Sequence, residues 1–186
     1  MIKEQTNIKK DKNFRQSDSE NPMRRIKIEK VVLSVGGTGD YLEKGMKLLK
    51  MISKSNPCKM KSKRRIPNWN VRPGLEVGVV VTIREGTNEF LKRLLVAINN
   101  KLKRKQINEN GFSFGIKEYI EIPGLDYQRD IGIMGFDVTI VFKRTGRRVA
   151  LRKIKKGKVS KRQIITKEEI IKFMEDNFQT TFVGKL

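Results

Sequence analysis

Apolar residues in this chain switch between the two-residue period of a strand and the 3.6-residue period of a helix. They do so in the order β-α-β-α-β-β, and that order constrains the fold more than any other feature. Ile26 to Val35 begins by alternating at Ile26 and Ile28 and becomes continuously apolar at Val31-Val32-Leu33, which predicts a strand. Gly36-Gly37-Thr38-Gly39 breaks it. Asp40, with Glu43 three residues on as the other half of a capping box, predicts a helix whose apolar face is Leu42, Met46, Leu49 and Ile52, ending at Asn56-Pro57. Val77, Val79, Val81 and Ile83 alternate as a second strand. Thr87 is expected to cap a second helix with Phe90, Leu91, Leu94, Leu95, Ile98 and Leu102 on one face. Strands are expected at Phe114 to Ile122 and at Phe136 to Phe142. The fold class that follows is α+β, an antiparallel-rich sheet with two helices packed on one face.

The ends differ from this middle. Residues 1–22 are polar and charged and are expected to form a disordered N-terminal tail, because they cannot bury enough surface to offset ordering entropy. Residues 23–144 form the α+β core, and 145–186 a basic extension ending in a helix. In that last part Thr166 and Glu169 form a capping box ahead of Ile170, Ile171, Phe173, Met174 and Phe178. Gly146 to Lys161 has no sustained apolar period and is expected to order only against a binding partner. The helix is expected to pack on a neighbouring surface through Ile170, Phe173 and Met174.

Charge is as segregated as apolarity. Ten Lys or Arg and no acid lie between Glu43 and Glu76, and twelve with no acid between Asp137 and Glu168. The remaining twenty basic residues, 42 less these 22, equal the twenty Asp and Glu, so the net charge of +22 resides wholly in two segments. Cationic tracts beside a neutral body mark a polyanion site, because each phosphate neutralised releases counterions. Anionic lipid is the competing partner, but neither tract contains an amphipathic helix with a wide apolar face. In the first tract Trp69, among Asn68, Asn70 and Arg72, offers a stacking surface and amides suited to exposed bases, or else packs within the hairpin.

Enzyme chemistry finds no support. The chain has no histidine and one cysteine, which removes the usual general base, the imidazole metal sites and any internal disulfide framework. Cys58 without an activating base is expected to be a small half-buried residue. Val35-Gly36-Gly37-Thr38-Gly39-Asp40 lacks the Lys-Ser/Thr ending of a phosphate loop and sets a carboxylate where a phosphate would approach, so a tight turn is the better reading. Asp126, Asp130 and Asp137 follow no calcium-loop spacing. No cofactor or metal is expected. No apolar run approaches the roughly 20 residues of a membrane span, and the polar start has no signal-like h-region, so a soluble cytoplasmic protein is expected.

Several segments together resemble the universal large-subunit ribosomal protein five family, called protein eleven in eukaryotes. They are Asn21-Pro22-Met23-Arg24 with Ile28-Glu29-Lys30-Val31-Val32-Leu33, Phe112-Ser113-Phe114-Gly115-Ile116-Lys117-Glu118, and Asp126-Tyr127 with Gly132-Ile133-Met134-Gly135-Phe136-Asp137. Arg152 to Arg162 and Thr166 to Phe173 are similar to the archaeal extension. The resemblance implies a ribosomal, noncatalytic role in the central protuberance. It implies 5S rRNA contacts at Arg24, Lys27, Lys30, Ser34, Ser55, Thr82 and Arg84. It implies a P-site tRNA loop of Lys61, Lys63, Arg64, Arg65, Asn68, Trp69, Asn70 and Arg72. Large-subunit rRNA is the expected partner of Arg147, Arg148, Arg152, Lys153, Lys155, Lys156, Lys158, Lys161 and Arg162. Neighbouring central-protuberance proteins and a small-subunit head protein at the intersubunit bridge are the other implied partners. Three features depart from the pattern: Ser34 and Ser55 stand where the family has Asn and Gln, and the turn after the first strand is shortened. A hydroxyl is shorter than an amide and cannot make its two-sided hydrogen bonds. A nonribosomal basic RNA-binding or RNA-chaperone module is the alternative function.

Overall fold

The computed structural model describes residues 21–184, so the expected tail lies outside the described residues as far as residue 20. The elements in chain order are β1 (Ile26–Gly36), α1 (Asp40–Ser53), β2 (Cys58–Lys61), β3 (Glu76–Ile83), α2 (Thr87–Ala97) and β4 (Lys101–Lys103). There follow β5 (Ile107–Asn108), β6 (Gly111–Ile116), β7 (Phe136–Arg144), α3 (Arg148–Leu151), α4 (Lys167–Phe178) and β8 (Thr181–Val183). Six strands form one antiparallel sheet in the order β2-β3-β1-β7-β6-β5, while β4 and β8 pair in parallel as a separate ribbon.

β1 sits at the middle of the sheet between β3 and β7. Its apolar residues break strict alternation, since Ile28 and Val31 are three apart yet both belong to the core. The pairing with β7 shifts between Ile28 and Lys30, and this bulge supplies the odd residue that turns both inward. Val31, Leu33 and Val35 then meet Val79 and Val81 of β3 and Val138, Ile140 and Phe142 of β7 in one core. From α1 come Leu42, Leu48, Leu49 and Ile52, and from α2 Leu91, Leu94 and Leu95, all buried. Each such side chain contributes about 1.5–3 kcal/mol of burial. α1 lies close on the sheet because Gly45 has no side chain; a Cβ there would fall 2.9 Å from Val35 Cγ1.

Several expectations are corrected. Gly39 and Gly86, with φ of 62° and 60°, are the residues preceding α1 and α2, so Asp40 and Thr87 are first helical residues and not caps. α2 stops at Ala97, after which Asn99 and Asn100 take left-handed φ of 52° and 54° and turn the chain. Leu102 is therefore buried from β4 and not from a helix face. The strand expected to reach Ile122 ends at Ile116, and Tyr119–Glu121 forms a 3-10 turn. There the buried Tyr119 hydroxyl accepts the Gln128 N–H at 2.8 Å and pins the following loop. Cys58 is exposed, because β2 is an edge strand.

The C-terminal helix is the largest difference. Ile165, Ile170, Ile171, Met174 and Phe178 join the same core as the sheet, and Phe173 meets Phe142 edge-on with ring centres 5.5 Å apart. The helix therefore packs on this chain's own core and not on a neighbour. Its start is as expected in one respect: Thr166 N–H donates to the Glu169 carboxylate at 3.0 Å.

Candidate nucleic-acid interface

With Val31, Leu33 and Val35 facing the helices, alternation turns Lys30, Val32 and Ser34 to the other face of β1. The register builds rows across that face. Ser34 lies opposite Val80 and Asp137, Val32 opposite Thr82 and Thr139, Lys30 opposite Val141, and Lys27 opposite Lys143. None of these residues belongs to the core. The face is built mostly from small or β-branched side chains, with hydroxyls at its centre, Lys27, Lys30 and Lys143 at one end and Asp137 beside Ser34 at the other. Such a surface suits the wide, shallow minor groove of an RNA helix, where shape, 2′-hydroxyls and phosphates are recognised.

Of the residues expected to contact 5S rRNA, the structure gathers Lys27, Lys30, Ser34 and Thr82 here, with the exposed Arg84 just beyond the end of β3. Ser55 does not join them. It lies between α1 and β2, where its hydroxyl donates to Ser53 O at 3.3 Å and its N–H donates to Ser53 Oγ at 3.2 Å. Arg24 lies in the short turn before β1. Thr139 and Lys143 are not among the expected residues, although inward Phe136, Val138, Ile140 and Phe142 already imply outward Asp137, Thr139, Val141 and Lys143.

The tract from Lys61 to Arg72 is the tip of the β2–β3 hairpin. It is ordered by its own backbone: Ser62 and Leu75 bond at 2.8 Å, Ile66 and Val71 exchange two bonds at 2.9 and 3.1 Å, and Asn70 N–H reaches Pro67 O at 3.0 Å. Asn70 takes a left-handed φ of 51° to close the turn Pro67–Trp69. Val71 is buried at 6% exposure yet stands outside the main core, so it anchors the loop alone. Trp69, at 75% exposure, is displayed and not packed. Asn68 and Asn70 are exposed beside it. Among the described residues no side-chain hydrogen bond or ion pair engages Lys61, Lys63, Arg64, Arg65 or Arg72. Lys59 at the hairpin base is different. Its ammonium donates to Glu76 at 2.7 Å, and that hydrogen bond holds its pKa above the usual lysine value despite some desolvation.

The extension is tied down. Arg147 donates to Glu29, at the β1 bulge, at 3.0 Å. Asn110, in the β5–β6 turn, accepts the Ile165 N–H at 3.0 Å and donates its own N–H to Ile165 O at 3.2 Å. Arg144, only 4% exposed, donates to Glu169 at 2.6 Å. Burial pushes the Glu169 carboxyl up, but the Arg144 hydrogen bond, the Thr166 backbone N–H and the Arg144 charge together outweigh it and hold the pKa below the usual carboxylate range. Within the extension Arg152 Nε donates to Lys155 O at 2.7 Å. The side chains of Arg148, Lys153, Lys155, Lys156, Lys158, Lys161 and Arg162 are exposed.

Among the described residues no group of three or more His, Cys, Asp or Glu could hold a metal ion. No helix among them is long and apolar enough to cross a membrane.

The C-terminal model of the ribosomal protein L5 family matches residues 76–173, and the model described as ribosomal protein L5 matches residues 21–72. The chain is 44% identical over 161 residues to the large ribosomal subunit protein uL5 of Nanoarchaeum equitans, covering 84% of this chain and 95% of that one. It is 42% identical over 159 residues to the uL5 protein of Pyrobaculum aerophilum, covering 83% and 89%. To that of Archaeoglobus fulgidus it is 40% identical over 164 residues, covering 87% and 92%. The segments that carry the resemblance, the antiparallel sheet they build and these archaeal relatives agree: the chain belongs to the ribosomal protein L5 family.

Proposed function

We propose that this protein, a constituent of the archaeal large ribosomal subunit and not an enzyme, binds 5S rRNA through the open face of its sheet. The observation that carries the reading is that face itself, where Thr82 and Thr139 flank Val32, Ser34 lies in a row with Val80 and Asp137, and Lys27, Lys30 and Lys143 stand at one end, none of them part of the core beneath the helices. The hairpin tip reaches P-site tRNA, since its cations are uncommitted and Trp69 is displayed for stacking. The basic extension lies on large-subunit rRNA. Neighbouring central-protuberance proteins and a small-subunit head protein flank these sites.

The test measures two affinities on one variant. Replacing Lys63, Arg64, Arg65 and Trp69 with Ala removes only exposed groups, so 5S rRNA affinity and folding stay near wild type. P-site tRNA retention on ribosomes carrying it falls, by about 0.5–1 kcal/mol for each cation removed. Loss of 5S binding with unchanged tRNA retention would reverse the assignment. For wild type, about six phosphates neutralised gives a slope of log affinity against log salt of roughly −4 to −5. A slope near zero removes the phosphate-driven reading altogether.

A further inference from the structure

Where the extension folds back over the end of the sheet it encloses a cleft of about 510 Å³, the size of sites that hold a nucleotide-sized ligand. Lys143, Arg144, Arg147, Lys156 and Lys158 line it, and no acid does. Its lining also includes apolar Ala150, Val159 and Ile164. Two of the cations are oriented from behind. Glu169 holds one end of the Arg144 guanidinium and Glu29 holds Arg147. Arg144 Nε, fully buried, has no hydrogen-bond partner among the described residues. Glu169 also serves the Thr166 N–H, so the buried guanidinium is only partly answered. Lys143, Lys156 and Lys158 have no acid partner among the described residues, so the cleft carries net positive potential, which low-dielectric walls focus into the opening.

We propose that this cleft takes one unstacked nucleotide of an RNA strand, its phosphate against Arg147, Lys156 and Lys158 and its sugar and base against Val159 and Ile164. The site adjoins the sheet face, with which it shares Lys143, and is separate from the hairpin tip; it rests on the reading of the extension as RNA-binding. Arginine fixed by a carboxylate behind it is suited to phosphate geometry. The apolar lining is what a bare phosphate would not use and a nucleoside would. A strand is favoured over a free mononucleotide because Arg148, Arg152, Lys153, Lys161 and Arg162 extend the cationic track beyond the cleft.

The experiment follows backbone amides of the full isotope-labelled chain during titration with inorganic phosphate, adenosine monophosphate and a single-stranded RNA tetranucleotide. The expected result is saturable shifts at Asn110, Gly157 and Ile164 with the tetranucleotide, about tenfold tighter than with either small probe. Lys156→Ala with Lys158→Ala weakens this by about tenfold, while the Lys→Arg pair at the same positions retains it. Equal affinity for adenosine monophosphate overturns the RNA strand as occupant, and equal affinity for phosphate overturns the nucleotide. Shifts confined to Ser34, Thr82 and the hairpin tip, or none at the cleft, overturn the site. The sheet-face reading is scored independently, by 5S rRNA affinity of a Lys27→Ala, Lys30→Ala variant, and fails or stands without reference to these shifts.

Discussion

The hairpin tip and the extension carry the same kind of charge, but only the extension is tied by side chains to the core. The tip between β2 and β3 is closed by its own backbone hydrogen bonds around one buried residue, Val71, and its cations have no partner among the described residues. The extension also closes short turns on itself, Gly157 N–H to Val149 O at 3.1 Å among them, but it is in addition fastened to the body by Arg147 to Glu29, Asn110 to Ile165 and Arg144 to Glu169. Charge density alone therefore does not decide whether a basic segment is ordered. What differs is whether the segment closes only on itself or is also tied by side chains to the core. The first arrangement leaves every cation for a ligand. The second commits some of them to the fold.

The sharpest way to break this comparison is Glu169→Ala. Arg144 would be left nearly buried without its carboxylate, and stability in urea unfolding falls by about 3 kcal/mol, the scale of an uncompensated buried charge. Removing Lys63, Arg64 and Arg65 together leaves the unfolding free energy within about 0.5 kcal/mol of wild type. Similar losses in both variants would erase the distinction. Acid provides a second reading of the same pair. The folded-state pKa of Glu169 lies below its ordinary value of 4.5, so its contribution is present above 4.5 and is lost as pH falls through the folded value. Amide exchange in α4 rises over that acid window in wild type and not in Glu169→Gln.

A smaller effect belongs to the tip. Val71→Ala removes its one buried anchor and weakens the loop by about 1–2 kcal/mol, with the loss confined to it because Val71 stands apart from the main core. Faster exchange at Val71 and Asn70 with an unchanged global midpoint is the expected pattern. A global loss of stability would join the tip to the core after all. The smallest effect is Arg147→Ala. Its half-exposed pair with Glu29 contributes about 0.5 kcal/mol, visible as faster exchange in α3 and not in the unfolding midpoint. Wild-type exchange in α3 after this change would mean that the extension is fastened elsewhere.

Some of the site could be read without coordinates and some could not, for one reason applied at several residues. Ser34 and Thr82 reach the open face by alternation along their own strands. Lys143 and Thr139 do so equally, but their place beside Lys27 and Val32 depends on which strand β7 pairs with. Arg144 reads as one more cation of a basic tract. Its burial follows only from Glu169, 25 residues later, arriving across the end of the sheet. Leu102 reads as the last apolar position of a helix. It leaves that helix because Asn99 and Asn100 turn left-handed toward β8, whose Thr181 N–H donates to Asn100 O from 81 residues away.

The sequence by itself determined the order of the main strands and helices, the inward residues of β1, β3 and β7, the Thr166–Glu169 helix start, the segregation of charge and the family. Each of these is a pattern among consecutive residues or a set of short motifs, and it holds whatever the distant chain does. Tertiary structure alone decided that α4 closes onto the chain's own core, that Arg144 is buried while Arg148 is exposed, and that the extension and the end of the sheet enclose a cleft between them. Those outcomes depend on the burial of apolar side chains brought together from opposite ends of the chain, and burial is a property of the assembled fold and not of any single stretch of it.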